Sequence, residues 1–164
     1  MHAKNWGSKT KAENNMDHNP ILQSIAQQVS SGQAGGADPK LQFSIPCFEV
    51  EYKESRAPSL MYIFYDLPFP KLPLDEDFAF HIVNGWIGSG RKRQQEIKIL
   101  KPDGSVFLKT GQQPLEFVDE HTPFMAVNKF PNLPFDVEGY YYVVVYLEEK
   151  EVLRYPLRVR VMDG

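Results

Sequence analysis

Apolar and polar positions alternate most clearly near the C-terminal end of the sequence. From residue 152 to 161 every second side chain is apolar: Leu153, Tyr155, Leu157, Val159 and Val161. The positions between them carry Arg154, Pro156, Arg158 and Arg160. A period of two predicts a strand with one buried and one solvated face.

A second, denser run precedes this strand. Residues 139–147 are almost all β-branched or aromatic, which is typical of a strand with apolar residues on both faces. The charged residues 148–151 separate the two runs and predict the turn of a hairpin. A central strand paired with a half-exposed one is how a β-sandwich ends, so the pattern favours an all-β fold.

Further strand patterns recur from Leu41 onwards. Phe48, Val50 and Tyr52 alternate with charged residues, and Leu60 to Leu67 is continuous enough to predict one buried strand. The remaining predicted strands are Phe78 to Val83 (ending at 84–86), the segment around Ile97 and Ile99, Leu115 to Phe117, and Phe124 to Phe130. Since no sustained helical period occurs after residue 41, we expect eight or nine short strands and no long helix.

Proline and glycine mark the connections. Residues 68–73 contain three prolines and predict an extended crossover rather than a ladder. Lys101-Pro102-Asp103-Gly104 predicts a tight turn, because proline presets φ and glycine accepts a positive φ, so Val106 and Leu108 return as the hairpin partner.

The first forty residues differ in kind. Residues 1–40 are polar and small, which predicts a mostly disordered leader ahead of a β-sandwich domain at 41–164. Within the leader, residues 20–29 could form a short amphipathic helix, with Ile21, Leu22, Ile25 and Val29 on one side. This segment is either a nascent helix in a tail or a docking helix for a partner or for the sheet itself.

Composition narrows the function classes. A net charge of −3 disfavours a nucleic-acid partner, and no segment has the length of apolar sequence that a membrane span requires. The single cysteine, Cys47, excludes an internal disulfide, and the N-terminus lacks the apolar core of a signal peptide. We therefore expect a cytoplasmic protein.

The segment before the final hairpin resembles the tyrosine corner of immunoglobulin-like sandwiches. Gly139 precedes Tyr141 by two residues, at the start of the penultimate strand. Tyr141, Val143, Val145 and Leu147 would then point into the space between two sheets. This arrangement predicts that Tyr141 is buried and hydrogen-bonded.

Residues 48–161 as a whole resemble an uncharacterised family of bacterial immunoglobulin-like β-sandwich domains. The carriers are residues 59–66, Phe69-Pro70 and Leu72-Pro73, the turn at 98–104, residues 135–141 and the closing Pro156-Leu157-Arg158-Val159. The resemblance implies an antiparallel sandwich of bacterial or phage origin. No activity is established for the family, so none is implied, and the leader departs from the usual pattern.

No catalytic or metal-binding arrangement is evident. Asp119-Glu120-His121 is the densest group of metal-ligand types, but consecutive strand residues point to opposite faces, so a polar loop is favoured. His81 fits a half-buried packing role, and Cys47 has no histidine near it in sequence. We expect no enzyme activity, no cofactor and no metal.

Two groups of residues are candidates for partner binding. Arg91, Lys92 and Arg93 form a basic run at a predicted hairpin tip, which is either merely solvated or touches an acidic partner. Trp86 and the tyrosines Tyr140, Tyr142 and Tyr146 could form an aromatic strip, although we favour coverage of that face.

These observations predict a non-enzymatic protein-interaction or structural domain, as a subunit or accessory of a bacterial or phage assembly. Its partner would be another protein or a second copy of the same polypeptide. The alternative is a carbohydrate- or small-ligand-binding module that uses Trp86 and the tyrosine strip.

Overall fold

Ten strands are formed by residues 38–54, 58–75, 77–88 and 92–163, which are the residues that the computed structural model describes. In sequence order they are β1 (Lys40–Glu51), β2 (Ser59–Ile63), β3 (Asp66–Phe69), β4 (Phe80–Ile87), β5 (Arg93–Leu100), β6 (Val106–Lys109), β7 (Gln113–Leu115), β8 (Phe124–Phe130), β9 (Gly139–Leu147) and β10 (Lys150–Val161). Residues 1–37 of the predicted leader lie outside the described residues. The possible helix at 20–29 falls within this range.

The strands form two sheets. One has four strands in the order β2-β1-β4-β8, and the other has six, in the order β3-β10-β9-β5-β6 with β7 beside β5. Every pair is antiparallel except β3 with β10. One apolar cluster joins Ile82 of the first sheet to Ile97 and Val143 of the second. The predicted immunoglobulin-like β-sandwich is therefore confirmed, with ten strands instead of eight or nine.

Alternation along the last two strands places the core as predicted. Tyr141, Val143 and Val145 of β9 are fully buried, as is Leu157 of β10. Val144, on the opposite face of β9, is also fully buried, which fits a strand that is apolar on both faces.

The predicted strand over Leu60 to Leu67 is wrong, because the backbone passes from one sheet to the other within it. Phe64 turns inward while its amide still donates to the carbonyl of Pro46 in β1, at 3.3 Å. The carbonyl of Tyr65, the next residue, accepts from the amide of Arg158 in β10, also at 3.3 Å. The run spans two sheet edges, and Tyr62, Ile63 and Tyr65 within it stay exposed.

The predicted crossover at 68–73 begins too early. Pro68 and Phe69 belong to β3 and pair with Arg160 and Val161. Since β3 is an edge strand, the amide that Pro68 lacks would have faced away from the ladder, and proline costs no hydrogen bond there.

Strand β4 also continues past the predicted end, through Asn84, Gly85 and Trp86. Gly85 is required in the middle of the sheet because the ring of Phe43 lies over it. A Cβ at this position would come within 2.2 Å of the Phe43 ring. Gly85 therefore marks a position where a side chain packs closely over the strand, and it does not mark a turn.

The predicted turns at 101–104 and after β9 are confirmed, and the second is tighter than expected. The amide of Gly104 donates to the carbonyl of Lys101 at 2.9 Å, with a φ of 86° at Gly104. Between β9 and β10 only Glu148 and Glu149 form the loop, with φ of 47° and 67°. Two positive φ values in a two-residue loop are the mark of a type I′ hairpin turn.

The tyrosine corner is present. The Tyr141 hydroxyl donates to the carbonyl of Val137 at 3.2 Å, and the Tyr141 ring packs edge-on against Phe135. Burial raises the pKa of this hydroxyl, and the nearby carboxylate of Asp136 raises it further. Gly139, two residues earlier, has a φ of 139°.

Candidate binding surface

Trp86 is fully buried, so its indole is not on the surface where a ligand could reach it. Its position in β4 faces the other sheet, and its Nε1 donates to Oε1 of Gln95 in β5 at 2.8 Å. The prediction of Trp86 as a binding residue is therefore corrected: the residue ties the two sheets together.

Trp86 belongs to a buried polar cluster between the sheets. Nδ2 of Asn84 also donates to Gln95 Oε1, at 3.0 Å, and Gln95 Nε2 donates to Oε1 of Gln113 in β7 at 3.1 Å. Asn84 Oδ1 is buried without a hydrogen-bond partner among the described residues. Because hydrogen-bonded amides in a buried site fix relative orientation, this cluster holds β4 in position against β5 of the other sheet.

The structure describes two of the three residues of the predicted basic run. Arg91 lies outside the described residues, and Lys92 is exposed. Arg93 begins β5, and its guanidinium holds the carboxylate of Asp38 with contacts of 2.6 and 3.2 Å. The described part of this run therefore includes a structural tie just ahead of β1.

Cationic side chains from the neighbouring strands lie over two of the three rings in the predicted tyrosine strip. Nζ of Lys98 lies 4.6 Å from the ring centre of Tyr146, and Cζ of Arg154 lies 5.9 Å from that of Tyr142. Both tyrosines are half-buried. Tyr140 has 54% of its surface exposed and is the accessible member of the three.

The structure brings Cys47 and His81 together, which the sequence did not suggest. They face each other across β1 and β4 in register. Cys47 is fully buried, and burial raises the pKa of its thiol, so the sulfur stays protonated and poorly nucleophilic. Nδ1 of His81 lies 3.1 Å from the Phe48 carbonyl, within hydrogen-bond distance.

Residues 119–121 form an exposed loop. The Asp119 carboxylate accepts hydrogen bonds from the amides of His121 and Thr122 and from the Thr122 hydroxyl, all within 2.8 Å. These bonds lower the pKa of Asp119. Within the described ranges no group of three histidine, cysteine or acidic side chains is placed to hold a metal ion. Those same ranges also lack a helix long and apolar enough to span a membrane.

Sequence reasoning missed an exposed apolar segment at the sheet crossing. Tyr62, Ile63 and Tyr65 expose 66%, 61% and 84% of their surface. Tyr62 also has a φ of 55°, an unusual conformation for a bulky residue. An apolar run is read as buried by default, so the available signal was its length, which exceeds a typical short strand.

Tyr65 lies at the edge of a groove of about 700 Å³ on the outer face of the six-stranded sheet. Its lining residues are Tyr65, Asp66, Glu138, Tyr140, Pro156, Arg158, Arg160, Val161 and Asp163. Strands β3, β10 and β9 supply most of them, because outward positions on neighbouring strands fall in one row. We refer to this depression as the Arg158 groove.

Three of the five charged side chains that line the Arg158 groove already have a hydrogen-bond partner. Nε of Arg160 donates to Oδ2 of Asp66 at 2.9 Å, and Oε1 of Glu138 accepts from the amide of Val161 at 2.5 Å. Arg158 is exposed, and its guanidinium makes no ion pair with another described residue. It therefore stands as an unpaired cation between Tyr140 and Asp66, its neighbours in register on β9 and β3.

Residues 42–160 match the family of unknown function DUF6941. The protein belongs to this family. The DUF6941 match extends from β1 into β10, so it includes the sheet crossing and Arg158, whereas residues 1–41 lie outside it.

A solved structure of an immunoglobulin-like protein from Pseudomonas aeruginosa is similar to this DUF6941 protein, with 15% sequence identity and a TM-score of 0.40. The alignment covers 76% of the present sequence and 98% of the other. The search among curated proteins found no match to the present sequence.

Proposed function

We propose that this protein is a non-enzymatic protein-binding domain that works as a subunit or accessory of a larger bacterial or phage assembly. The observation that carries the proposal is the exposure of Tyr62, Ile63 and Tyr65, three large apolar side chains within four consecutive residues. We call these three side chains, together with Tyr140, which lines the same groove as Tyr65, the crossing patch.

Leaving such side chains in water has a cost. Each large apolar group of this kind contributes roughly 1.5–3 kcal/mol when it is moved from water into a fully buried site. Aromatic residues are also enriched at protein interfaces, where the ring is covered and the hydroxyl finds a polar partner. A protein partner that covers the crossing patch would recover this free energy.

The backbone near the patch supports recognition by side chains rather than by strand addition. The carbonyl of Tyr65, just before β3, accepts from the amide of Arg158, and that of Phe69 accepts from the amide of Met162. The backbone groups of Asp66 and Pro68 therefore face outward. Pro68 has no amide hydrogen to offer. This edge is blunted against pairing with another strand, while its side chains remain accessible.

Photo-crosslinking tests the proposal. p-Benzoylphenylalanine replacing Tyr65 should crosslink to a specific protein, or to a second copy of this protein, in cells of its source. The control position is Val118, which is 87% exposed on a loop. After the crosslinked partner has been identified and purified, Ile63→Ala with Tyr65→Ala should weaken its binding at least tenfold by calorimetry, whereas Val118→Ala should not.

Two results would contradict the proposal. The first is the same set of products, or no product, at positions 65 and 118 together with a strictly monomeric protein. The second is glycan binding that depends on Tyr65 and Tyr140 without any protein crosslink, which would favour a carbohydrate-binding module.

A further inference from the structure

We infer that the Arg158 groove binds a single carboxylate of a peptide segment in the partner protein, held next to an apolar side chain. The inference rests on the proposed function and adds the chemistry of the bound segment. It names Arg158 as the recognition residue.

The position of Arg158 singles it out within the groove. It projects from β10 in the row formed with Tyr140 and Asp66, and its side chain is exposed. The other groove guanidinium, Arg160, is engaged by Asp66. Arg154, farther along the same strand and face, is held by both carboxylate oxygens of Glu151 at 3.0 and 2.9 Å. Arg158 thus has an accessible fork of N–H donors while both neighbouring arginines on its face are paired.

The charge balance of the groove selects the anion. Its lining contains three carboxylates, Asp66, Glu138 and Asp163, against the two guanidiniums. A dianionic phosphate would be repelled by the excess of carboxylates, and only one unpaired guanidinium of the described lining residues, that of Arg158, would attract it. A carboxylate carries one charge and matches one guanidinium in a bidentate pair.

The remaining lining favours an apolar neighbour for that carboxylate. Tyr65, Tyr140 and Pro156 line the same groove as Arg158 and contribute ring and aliphatic surface. A volume of about 700 Å³ holds a carboxylate together with one large apolar side chain. The bound segment is therefore an acidic residue or a C-terminal carboxylate beside an aromatic or aliphatic residue.

The test uses the full-length protein and a small acid with these two features. 3-Phenylpropionate is titrated at constant ionic strength while backbone amide signals are followed by NMR. We expect saturable shifts centred on Tyr65, Tyr140 and Arg158. The neutral 3-phenylpropionamide should bind at least tenfold more weakly, because it has the same ring without the charge.

Matched variants locate the recognition. Arg158→Gln should weaken 3-phenylpropionate binding at least tenfold, and Arg158→Lys should bind with intermediate affinity. Arg154→Gln, which removes the paired arginine of the same strand and face, should leave the affinity unchanged. Unchanged spectra away from the substituted position show that each variant is folded.

Three outcomes would overturn the inference. They are equal binding of the amide, tighter binding of inorganic phosphate than of 3-phenylpropionate, and an equal loss in the Arg154 and Arg158 variants. Crosslinking at Tyr65 without carboxylate binding would leave the proposed function standing and remove only this inference. Carboxylate binding without a protein crosslink would remove the partner peptide and point to a free small acid.

Discussion

The hydroxyl of Tyr141 is a single buried group whose contribution can be measured. Tyr141→Phe removes the donor to the Val137 carbonyl and leaves that acceptor without this hydrogen bond. We expect a loss of about 1–3 kcal/mol in the free energy of unfolding. Tyr140→Phe is the matched control, since its side chain is 54% exposed, and it should cost less than about 0.5 kcal/mol. Urea denaturation gives both values, and equal losses would contradict the assignment of the two faces of β9.

Gly139 offers a second test at residue scale. Its φ of 139° disfavours any β-branched residue, and a Cβ there would come within 2.8 Å of Pro102. Gly139→Val should therefore destabilise the fold by about 2–4 kcal/mol, from backbone strain and the clash together.

The control for Gly139 is Gly111→Val. Gly111 has a φ of 74°, but nothing lies within 4 Å of a Cβ built there. This variant should show only the backbone part, about 1–2 kcal/mol. If both variants lose the same stability, the contact with Pro102 contributes nothing.

Individual residues were predictable where one local rule decided their environment. Tyr141 follows a glycine at a fixed spacing just before the final hairpin, and the corner was found from that pattern. Trp86 was misjudged because its burial depends on Gln95 and on a facing sheet, which no local pattern reveals. Arg158 carried no signal, since its lack of an ion pair depends on where the acidic residues of other strands lie.

At the scale of elements, the hairpin between β9 and β10 contains a correctable strain. Glu148 and Glu149 both have positive φ, which glutamate adopts reluctantly. Glu149→Gly should stabilise the protein by about 0.4–1 kcal/mol in thermal or urea unfolding. Glu148 is left in place because its Oε1 accepts from the amide of Gln94 at 2.7 Å.

Lys150→Gly, one residue later, is the control for this hairpin. Lys150 lies in β10, so glycine there should lower stability instead of raising it. Destabilisation by Glu149→Gly would show that the Glu149 side chain makes a contribution larger than the strain.

The strand from Phe124 to Phe130 was predicted to the residue, and the run with a period of two at 152–161 lies within β10. The segment from Leu60 to Leu67 was not, because hydropathy reports that a run is apolar without reporting that it changes sheets. Likewise, the coverage of Tyr142 and Tyr146 comes from Arg154 and Lys98 on adjacent strands. Such long side chains bury aromatic surface that a single-strand pattern leaves open.

At the scale of the whole molecule, the two sheets are linked by a bond that titrates. The hydroxyls of Ser44 in β1 and Tyr155 in β10 lie 3.1 Å apart, and burial raises the pKa of Tyr155 to about 12. A raised pKa favours the protonated form in the folded state. Its contribution is therefore complete below pH 10 and is lost as the pH rises from 10 to about 12.

We expect Tyr155→Phe to flatten the fall in stability over this alkaline range by about 1–2 kcal/mol. Tyr65→Phe changes the number of tyrosines at an exposed site and should leave the slope as it is. Urea midpoints measured from pH 8 to 12 decide the matter. A wild-type slope that survives in Tyr155→Phe would assign the effect to Tyr141, whose pKa burial also raises.

The division of the protein into leader and sandwich is also testable at this scale. Deleting residues 1–37 should leave a soluble domain that unfolds cooperatively, since β1 begins at Lys40 and Asp38 is tied to Arg93. Circular dichroism and thermal unfolding of the shortened protein provide the readout. Loss of cooperativity would show that Ile21, Leu22, Ile25 and Val29 belong to the core.

The pairing of β3 with β10 determines when the six-stranded sheet can be completed during synthesis. The Asp66–Arg160 ion pair joins residues 94 positions apart, so β3 is synthesised long before its partner. Until β10 emerges, β9 and β3 both present unpaired edges, and contacts this distant in sequence form slowly. A polypeptide that ends after β9 would have two strands with unpaired edges, and such species aggregate or bind chaperones. Correct folding of the sandwich therefore depends on the synthesis of β10, the strand that joins β3 to β9.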